Sequence, residues 1–106
     1  MTEQTYLVLL ALAGGPRHGY GIVRAVRDLS GDSVRLGAGT LYGVLDRLAA
    51  AGMVEPSGEE VVDGRLRRYY RITDAGTAAA GAEAARLAEL ARRGSAVLGR
   101  PALGEA

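Results

Sequence analysis

The chain has 106 residues, 48% of them hydrophobic, and its 13 basic and 12 acidic side chains give a formal net charge of +1. These values suit one globular domain and exclude a disordered chain or a polybasic tail. The sequence has no cysteine and one histidine, which excludes disulfide bonds, thiol chemistry and a histidine-rich metal site. The longest apolar run, residues 6–13, is too short to span a membrane and follows no basic segment. We therefore expect a soluble, cytoplasmic protein without a metal or cofactor.

Two helices are predicted in the first 29 residues. Residues 1–13 have apolar side chains at helical spacing behind Thr2, a residue type that caps helices. Gly14-Gly15-Pro16 ends this segment. A second helix is expected from His18 or Gly19 to Leu29, because its apolar residues repeat at intervals of four and three.

The middle of the chain is predicted to form a third helix and a hairpin. The helix begins at Gly39-Thr40, carries a leucine stripe on its inward face and ends before Gly52. Residues 53–62 and 65–73 then flank Asp63-Gly64, a favoured two-residue hairpin turn. A proline and a glycine early in the first strand indicate a bulge there. The pairs that this turn predicts are Val61–Leu66, Glu60–Arg67 and Glu59–Arg68.

The last predicted element is an alanine-rich helix. It is capped by Thr73 or Asp74 and ends near Arg93. Three glutamate–arginine pairs support it: Glu83–Arg86, Glu89–Arg92 and Glu89–Arg93. We divide the chain into a domain of three helices and a hairpin at residues 1–73, a C-terminal helix at residues 74–98 and a flexible tail at residues 99–106.

Three helices followed by a charged hairpin form the element order of a winged helix-turn-helix, so the predicted fold class is α+β and mostly α. Four of the seven residues from Arg65 to Arg71 are arginine, and a projecting arm of this kind can neutralise phosphates along a nucleic-acid groove. Thr40 and Tyr42 can bond phosphates or touch a thymine methyl group. Arg47 lies on the face opposite the leucine stripe and is available to the groove.

Each of these residues also has a purely structural interpretation. The acidic residues of the facing strand can neutralise the wing arginines. Thr40 can serve only as a helix cap, and His18 can cap the second helix or bond locally. Arg47 can pair with Asp46 or Asp28 on the surface. No carboxylate pair, nucleophile or glycine-rich phosphate loop has a spacing typical of catalysis, so we do not expect an enzyme.

Three sequence blocks keep a fixed order and spacing. They are Gly-Pro-Arg-His-Gly-Tyr at residues 15–20, the stretch from Gly-Thr-Leu-Tyr to Gly-Met-Val at residues 39–54, and the stretch from Arg-Arg-Tyr-Tyr to Gly at residues 67–76. Together they resemble the PadR family of transcriptional regulators, in the short form that ends in one helix.

The resemblance implies a homodimeric repressor whose third helix enters the major groove of a pseudo-palindromic operator in double-stranded DNA. Its wings would reach flanking phosphates or the minor groove. The DNA-binding residues would be His18, Tyr20, Thr40, Tyr42, Arg47, Arg65, Arg67 and Arg68. The first and last helices would form the dimer interface, at Tyr6, Leu9, Leu10, Ala80, Ala84, Leu87 and Leu90.

Two features depart from the family pattern. Gly43 stands where the family commonly has proline, and the chain has no tryptophan or phenylalanine for the aromatic platform that some relatives present to flat drugs. The family implies a small-molecule effector at the dimer interface, whose identity no motif fixes.

The alternative function is a winged-helix protein-interaction module, which acts through its C-terminal helix without specific DNA binding.

Overall fold

The computed structural model describes the backbone of residues 1–104 and the side chains of residues 1–99. Within these residues it contains four helices and a three-stranded antiparallel sheet, which confirms the predicted α+β, mostly helical fold. In chain order the elements are α1 Glu3–Ala13, β1 Arg17–His18, α2 Gly19–Leu29, α3 Ala38–Ala50, β2 Val54–Val62, β3 Arg65–Ile72 and α4 Asp74–Gly104. None of the described helices is long and apolar enough to cross a membrane.

The core lies where the apolar stripes of α1, α2 and α3 meet. Its largest fully buried side chains are Val8, Leu9 and Leu12 of α1, Ile22 and Val26 of α2, and Leu41, Val44 and Leu45 of α3. Tyr70 and Ile72 of β3 pack against this cluster. Because each large apolar side chain contributes roughly 1.5–3 kcal/mol when buried, the core fixes α3 and the base of the hairpin relative to each other.

Side chains cap three of the four described helices at their N-termini. Thr2, His18 and Thr73 each accept a backbone N–H from three residues later, at 3.1, 3.3 and 3.1 Å. The predicted caps of the first and last helices and the capping role of His18 are therefore confirmed. Gly37 precedes α3 without a side-chain cap, and Thr40 lies inside the first turn. The interpretation of Thr40 as a helix cap is therefore wrong.

The hairpin of β2 and β3 is the wing, and it has the predicted register. The pairs Val61–Leu66, Glu60–Arg67 and Glu59–Arg68 all form. Asp63 and Gly64 have positive φ angles of 51° and 76°, as a two-residue type I′ turn requires. The register shifts between Pro56 and Glu59, which confirms the predicted bulge.

The short strand β1 was not predicted, because two residues are too few to show strand alternation. It completes the sheet order β1-β3-β2 by pairing Arg17 with Tyr70 and His18 with Tyr69. Arg17 also donates from Nε to the carbonyl oxygen of Ala11 at 2.8 Å, which satisfies a carbonyl group at the end of α1. These contacts hold the start of α2 beside the base of the wing.

The helix α4 is longer than predicted. Its end was expected near Arg93 and a tail was expected from residue 99, but helical backbone continues to Gly104. Gly94 does not end the helix, because one internal glycine costs at most about 1 kcal/mol. The predicted glutamate–arginine pairs also form on the turns before it. Residues 105–106 lie outside the described residues.

Candidate nucleic-acid interface

Strand alternation divides the wing arginines between two faces. Side chains of β3 alternate, so the residues that share one face are Leu66, Arg68, Tyr70 and Ile72, and those that share the other are Arg65, Arg67, Tyr69 and Arg71. The second set is called the outer face. Tyr70 and Ile72 pack on the core; on the outer face Arg67 and Tyr69 are half-buried, whereas Arg65 and Arg71 are exposed. Of the predicted wing contacts, Arg65 and Arg67 lie on the outer face, whereas Arg68 lies on the opposite one.

Two arginines of the outer face have no carboxylate partner among the described residues. Neither Arg65 nor Arg67 forms an ion pair within the part of the chain that the structure describes. Glu60 faces Arg67 across the hairpin, but it accepts a hydrogen bond from the Tyr69 hydroxyl at 3.0 Å. This bond raises the pKa of Tyr69, because deprotonation would lose it. Tyr69 thus engages the carboxylate that the register places opposite Arg67.

The other two wing arginines do have carboxylate partners. Arg68 Nε lies 3.5 Å from an oxygen of Glu59, and Arg71 pairs with Glu55. Exposed pairs of this kind contribute little to stability, but each places a negative charge beside its arginine. The self-neutralised interpretation of the wing therefore applies to Arg68 and Arg71, and not to Arg65 or Arg67.

The start of α2 joins the wing to the helical body. The ring of His18 meets that of Tyr69 edge-on, with centroids 5.3 Å apart, and lies parallel to that of Tyr20 at 6.5 Å. The guanidinium carbon of Arg24 lies 5.9 Å from the Tyr20 ring centroid, within the range of a cation–π interaction. His18 is half-buried while Tyr20 and Arg24 are exposed. His18 therefore positions the rings, and Tyr20 and Arg24 are the groups that a ligand can reach.

The helix α3 reaches the same surface through Tyr42. A β-carbon on residue 19 would lie 2.6 Å from the Tyr42 hydroxyl oxygen, so glycine at position 19 lets the Tyr42 ring lie over the start of α2. The Tyr42 side chain remains 44% exposed. Thr40, two residues nearer the N-terminus of α3, is also exposed.

Arg47 extends along the exposed side of α3. Its Nη1 lies 3.6 Å from the position that a β-carbon would take on Gly43, so the glycine leaves room for the guanidinium. The interpretation that Arg47 pairs with Asp46 or Asp28 is wrong, because neither ion pair forms among the described side chains.

These contacts link α3, the start of α2 and the wing, and we call the residues grouped along them the aromatic–arginine surface. It runs from α3 through the start of α2 to the outer face of the wing. Its members are Thr40, Tyr42, Arg47, His18, Tyr20, Arg24, Tyr69, Arg67 and Arg65. Guanidinium groups bind phosphate oxygens, and tyrosine supplies a donor and a ring face. The surface can therefore bind a polyanion with exposed edges or rings.

Two members of this surface were missed in the sequence. Arg24 lies four residues after Tyr20 on a predicted helix, and this spacing could have placed it beside the ring. Tyr69 has the same strand parity as Arg67, so alternation in the predicted hairpin could have placed it on the outer face. The contact of His18 with Tyr69 had no sequence signal, because it depends on β1.

The residues predicted for a dimer interface fall into two groups. Leu9 and Ala80 are 0% and 6% exposed; they lie in the core of one chain, so their prediction as contacts with a second copy is wrong. The accessible ones are Tyr6 and Leu10 of α1, which are half-buried, and Ala84, Leu87 and Leu90 of α4, which are exposed. Spacing alone could not separate these groups, because one helix can use adjacent stripes for its own core and for a partner.

A cleft of about 540 Å³ lies between α1, α4 and the end of α2. Tyr6 and Leu10 line one side, and Glu83 and Leu87 line the other. Glu83 is buried, and hydrogen bonds from Arg86 at 3.0 and 2.7 Å lower the pKa of its carboxyl group. Within the described residues there is no cluster of side chains that could hold a metal ion.

Comparison with known proteins gives clear sequence matches. The Transcriptional regulator PadR-like family matches residues 8–82. The chain is 48% identical over 66 residues to the transcriptional regulator Rv3488 of Mycobacterium tuberculosis. The matched segment covers 62% of this chain and 61% of that protein. It is 46% identical over 87 residues, 82% of this chain, to an uncharacterized transposon protein of Streptomyces fradiae, of which it spans 24%. The chain thus spans less than two thirds of the length of these curated relatives.

Solved structures share the fold. A PadR family transcription regulator from Clostridium difficile superposes with a TM-score of 0.77 at 22% identity, over 92% of this chain and 99% of that one. PadR of Bacillus subtilis, solved in complex with operator DNA, superposes with a TM-score of 0.62 at 20% identity, over 73% of this chain and 44% of that one. Members of the family are transcriptional regulators and not enzymes. Because the family match covers residues 8–82, this chain belongs to the Transcriptional regulator PadR-like family.

Proposed function

We propose that this protein is a homodimeric repressor that binds a pseudo-palindromic operator in double-stranded DNA. The aromatic–arginine surface carries the proposal, because its contacts from Tyr42 through His18 to Tyr69 link α3 to the wing, where Arg65 and Arg67 form no ion pair with the described residues. The similarity to a PadR solved with operator DNA supports DNA as the ligand. Repression is the default mode of regulation in this family.

In this arrangement α3 enters the major groove. Gly39, Gly43 and Ala50 give the solvent-facing side of α3 little bulk, and Asp46 is the exposed carboxylate beside them, so the helix backbone can come close to the base edges where Asp46 does not intervene. Thr40 and Arg47 are then the donors that remain on this side. A guanidinium bonds most readily to guanine, and a threonine hydroxyl bonds to several bases.

The wing supplies contacts to the DNA backbone. Neither Arg65 nor Arg67 forms an ion pair within the described chain, so each can replace a counterion at a phosphate. Arg68 has to leave Glu59 before it can do the same. The two sides of the wing therefore differ in their expected contribution to affinity.

A second copy of the chain would cover the apolar side of α4. Leu87, Leu90, Gly94 and Val97 follow the alternating three- and four-residue spacing of a coiled-coil seam. Leu90 and Val97 are 55% and 71% exposed in the single chain. Tyr6 on α1 adjoins this side at the cleft, where a small-molecule effector would bind beside the interface.

Fluorescence anisotropy tests the proposal with the duplex upstream of the protein's own gene and a scrambled duplex, each at two or more salt concentrations. The wild type should prefer the upstream duplex at every salt concentration. Arg67→Gln should weaken binding to both duplexes and lower the salt slope by about one for each phosphate that is no longer neutralised. Arg68→Gln is the matched control and should change the slope less, because Glu59 already partners that arginine.

Two results would overturn the proposal. Equal binding to both duplexes that disappears with salt would leave only a nonspecific electrostatic contact. A stable dimer without duplex affinity at low salt would favour the alternative, a protein-interaction module that acts through α4. Analytical ultracentrifugation of the same samples gives the oligomeric state.

A further inference from the structure

The tip of the wing exposes two apolar side chains that neither the core nor the aromatic–arginine surface uses. Val61 and Leu66 pair across the hairpin, one rung from the pair that closes the turn. They are 69% and 58% exposed. The next two rungs toward the body, Glu60–Arg67 and Glu59–Arg68, carry opposite charges. The wing tip thus has one apolar rung on an otherwise charged arm.

The size of this rung restricts what can cover it. A stable protein interface buries on the order of 800 Å² per partner, which two side chains on a two-stranded ribbon cannot supply. The minor groove of B-DNA is only about 6 Å wide, so it excludes the ribbon but admits single side chains. Its walls are the C–H groups of deoxyribose, which suit aliphatic side chains.

The charged residues near this rung are also those expected for binding in the minor groove. Arg65 is exposed one rung nearer the turn, on the other face of the ribbon from Leu66, and makes no ion pair within the described part of the chain. Proteins that deform the minor groove combine arginine with apolar wedges that enter between base steps. A narrow minor groove also has an enhanced negative potential that attracts arginine. The wing tip therefore has both components that this mode of binding uses.

We propose that Val61 and Leu66 form a wedge that enters the minor groove beside the half-site contacted by α3 and bends the duplex there. This inference rests on the proposed DNA-binding function and adds a source of specificity. Base steps that unstack easily, such as TA and CA, are favoured at the wedge although no side chain reads their edges. The operator is then selected partly by its deformability.

The test uses the double variant V61T/L66T of the full chain. Threonine keeps the β-branched or β-favouring character of the strands and removes apolar surface. The operator is first selected from random duplexes with the wild-type protein and is labelled at both ends, so that energy transfer reports bending. We expect the variant to lose most of the bend and about tenfold in affinity, with an unchanged salt slope because no charge is removed.

Two comparisons make this test specific. Arg68→Gln changes the next rung on the same face of the wing and should retain the wild-type bend. A rigid A-tract in place of the flexible flanking step should weaken wild-type binding but leave binding of V61T/L66T unchanged. This second comparison perturbs only the DNA for the wild type, so it decides the question even if the double variant folds poorly.

The outcomes separate the wedge from the function on which it rests. A wild type that binds its selected operator without bending it, or that is indifferent to the A-tract, overturns the wedge alone. A double variant with wild-type bend and affinity does the same, and so does one that changes the oligomeric state instead of the bend. Failure of the wild type to select any operator contradicts the proposed function itself.

Discussion

The contact between Gly19 and Tyr42 gives a quantitative prediction for the variant Gly19→Ala. The new β-carbon would lie 2.6 Å from the Tyr42 hydroxyl oxygen, which is 0.8 Å inside the 3.4 Å limit of ordinary contact. Overpacking of this kind costs about 1–3 kcal/mol. Alanine gains up to about 1 kcal/mol over glycine in a helix. We therefore expect a net loss of about 1 kcal/mol in the free energy of unfolding.

Tyr42→Phe provides the control for this prediction. Phenylalanine removes the oxygen and leaves the ring carbon Cζ at 3.3 Å from the new β-carbon, so most of the overlap disappears. The Tyr42 hydroxyl makes no hydrogen bond within the described residues, and its removal alone should change stability little. In the Tyr42→Phe background, Gly19→Ala should therefore be neutral or slightly stabilising. The two substitutions should show a coupling energy of about 1 kcal/mol.

Urea unfolding of the four proteins, followed by circular dichroism, measures this coupling. In a domain of this size, 1 kcal/mol corresponds to a shift of about 4–8 °C in Tm, so thermal unfolding is an independent check. Equal effects of Gly19→Ala in the two backgrounds would refute the reasoning, because the clash would then not involve the hydroxyl. A stabilised single variant would refute it as well, since helix propensity would outweigh the contact.

Two further predictions concern stability. Thr73→Val should cost about 1–2 kcal/mol in thermal unfolding, because it removes the cap on Gly76 and a 2.6 Å bond to the Gly52 carbonyl. Thr77→Val is the control, since the Thr77 hydroxyl only donates to a carbonyl one turn back; equal losses would contradict the capping role. Glu83→Gln should flatten the acid side of the stability–pH curve, because Arg86 lowers the pKa of the folded carboxyl group. That contribution is fully present above the unfolded pKa near 4.5 and is lost as pH falls through the lower folded value. Urea unfolding between pH 3 and 7 measures it, and parallel curves for wild type and variant would exclude it.

Local signals in the sequence were sufficient for most of the fold. The periodic leucines of α3, the Asp63-Gly64 turn and the caps at Thr2 and Thr73 each depend on residues close together in the chain, and all were predicted correctly. The register of the wing followed from its turn, because a two-residue loop leaves one pairing. The end of α4 was placed too early, since a glycine weakens a helix without necessarily ending it.

The candidate site depends on contacts between residues that are far apart in the chain, and the sequence patterns predicted few of these contacts. The sequence grouped Arg67 with Arg68, but strand parity separates them, and Tyr69 rather than Arg67 engages Glu60. Leu9 and Ala80 are residue types that are common in helix interfaces, but both are buried in the core of the single chain. Nothing in the sequence indicated that β1 would pair with β3 or that Tyr42 would lie against Gly19.

The pairing of β1 with β3 determines where the wing is already ordered before it meets a ligand. Arg17 and His18 hold the base of β3 at Tyr69 and Tyr70, so the conformational entropy of this part is lost during folding and does not reduce the affinity of a later complex. Beyond the bulge that ends at Glu59 the hairpin has only two strands. That outer part is held only by its partner strand, so we expect it to be the part of the wing that adapts its path to the local width of a groove. The base of the wing is therefore fixed relative to the helical body, and we expect its tip to adjust to the DNA.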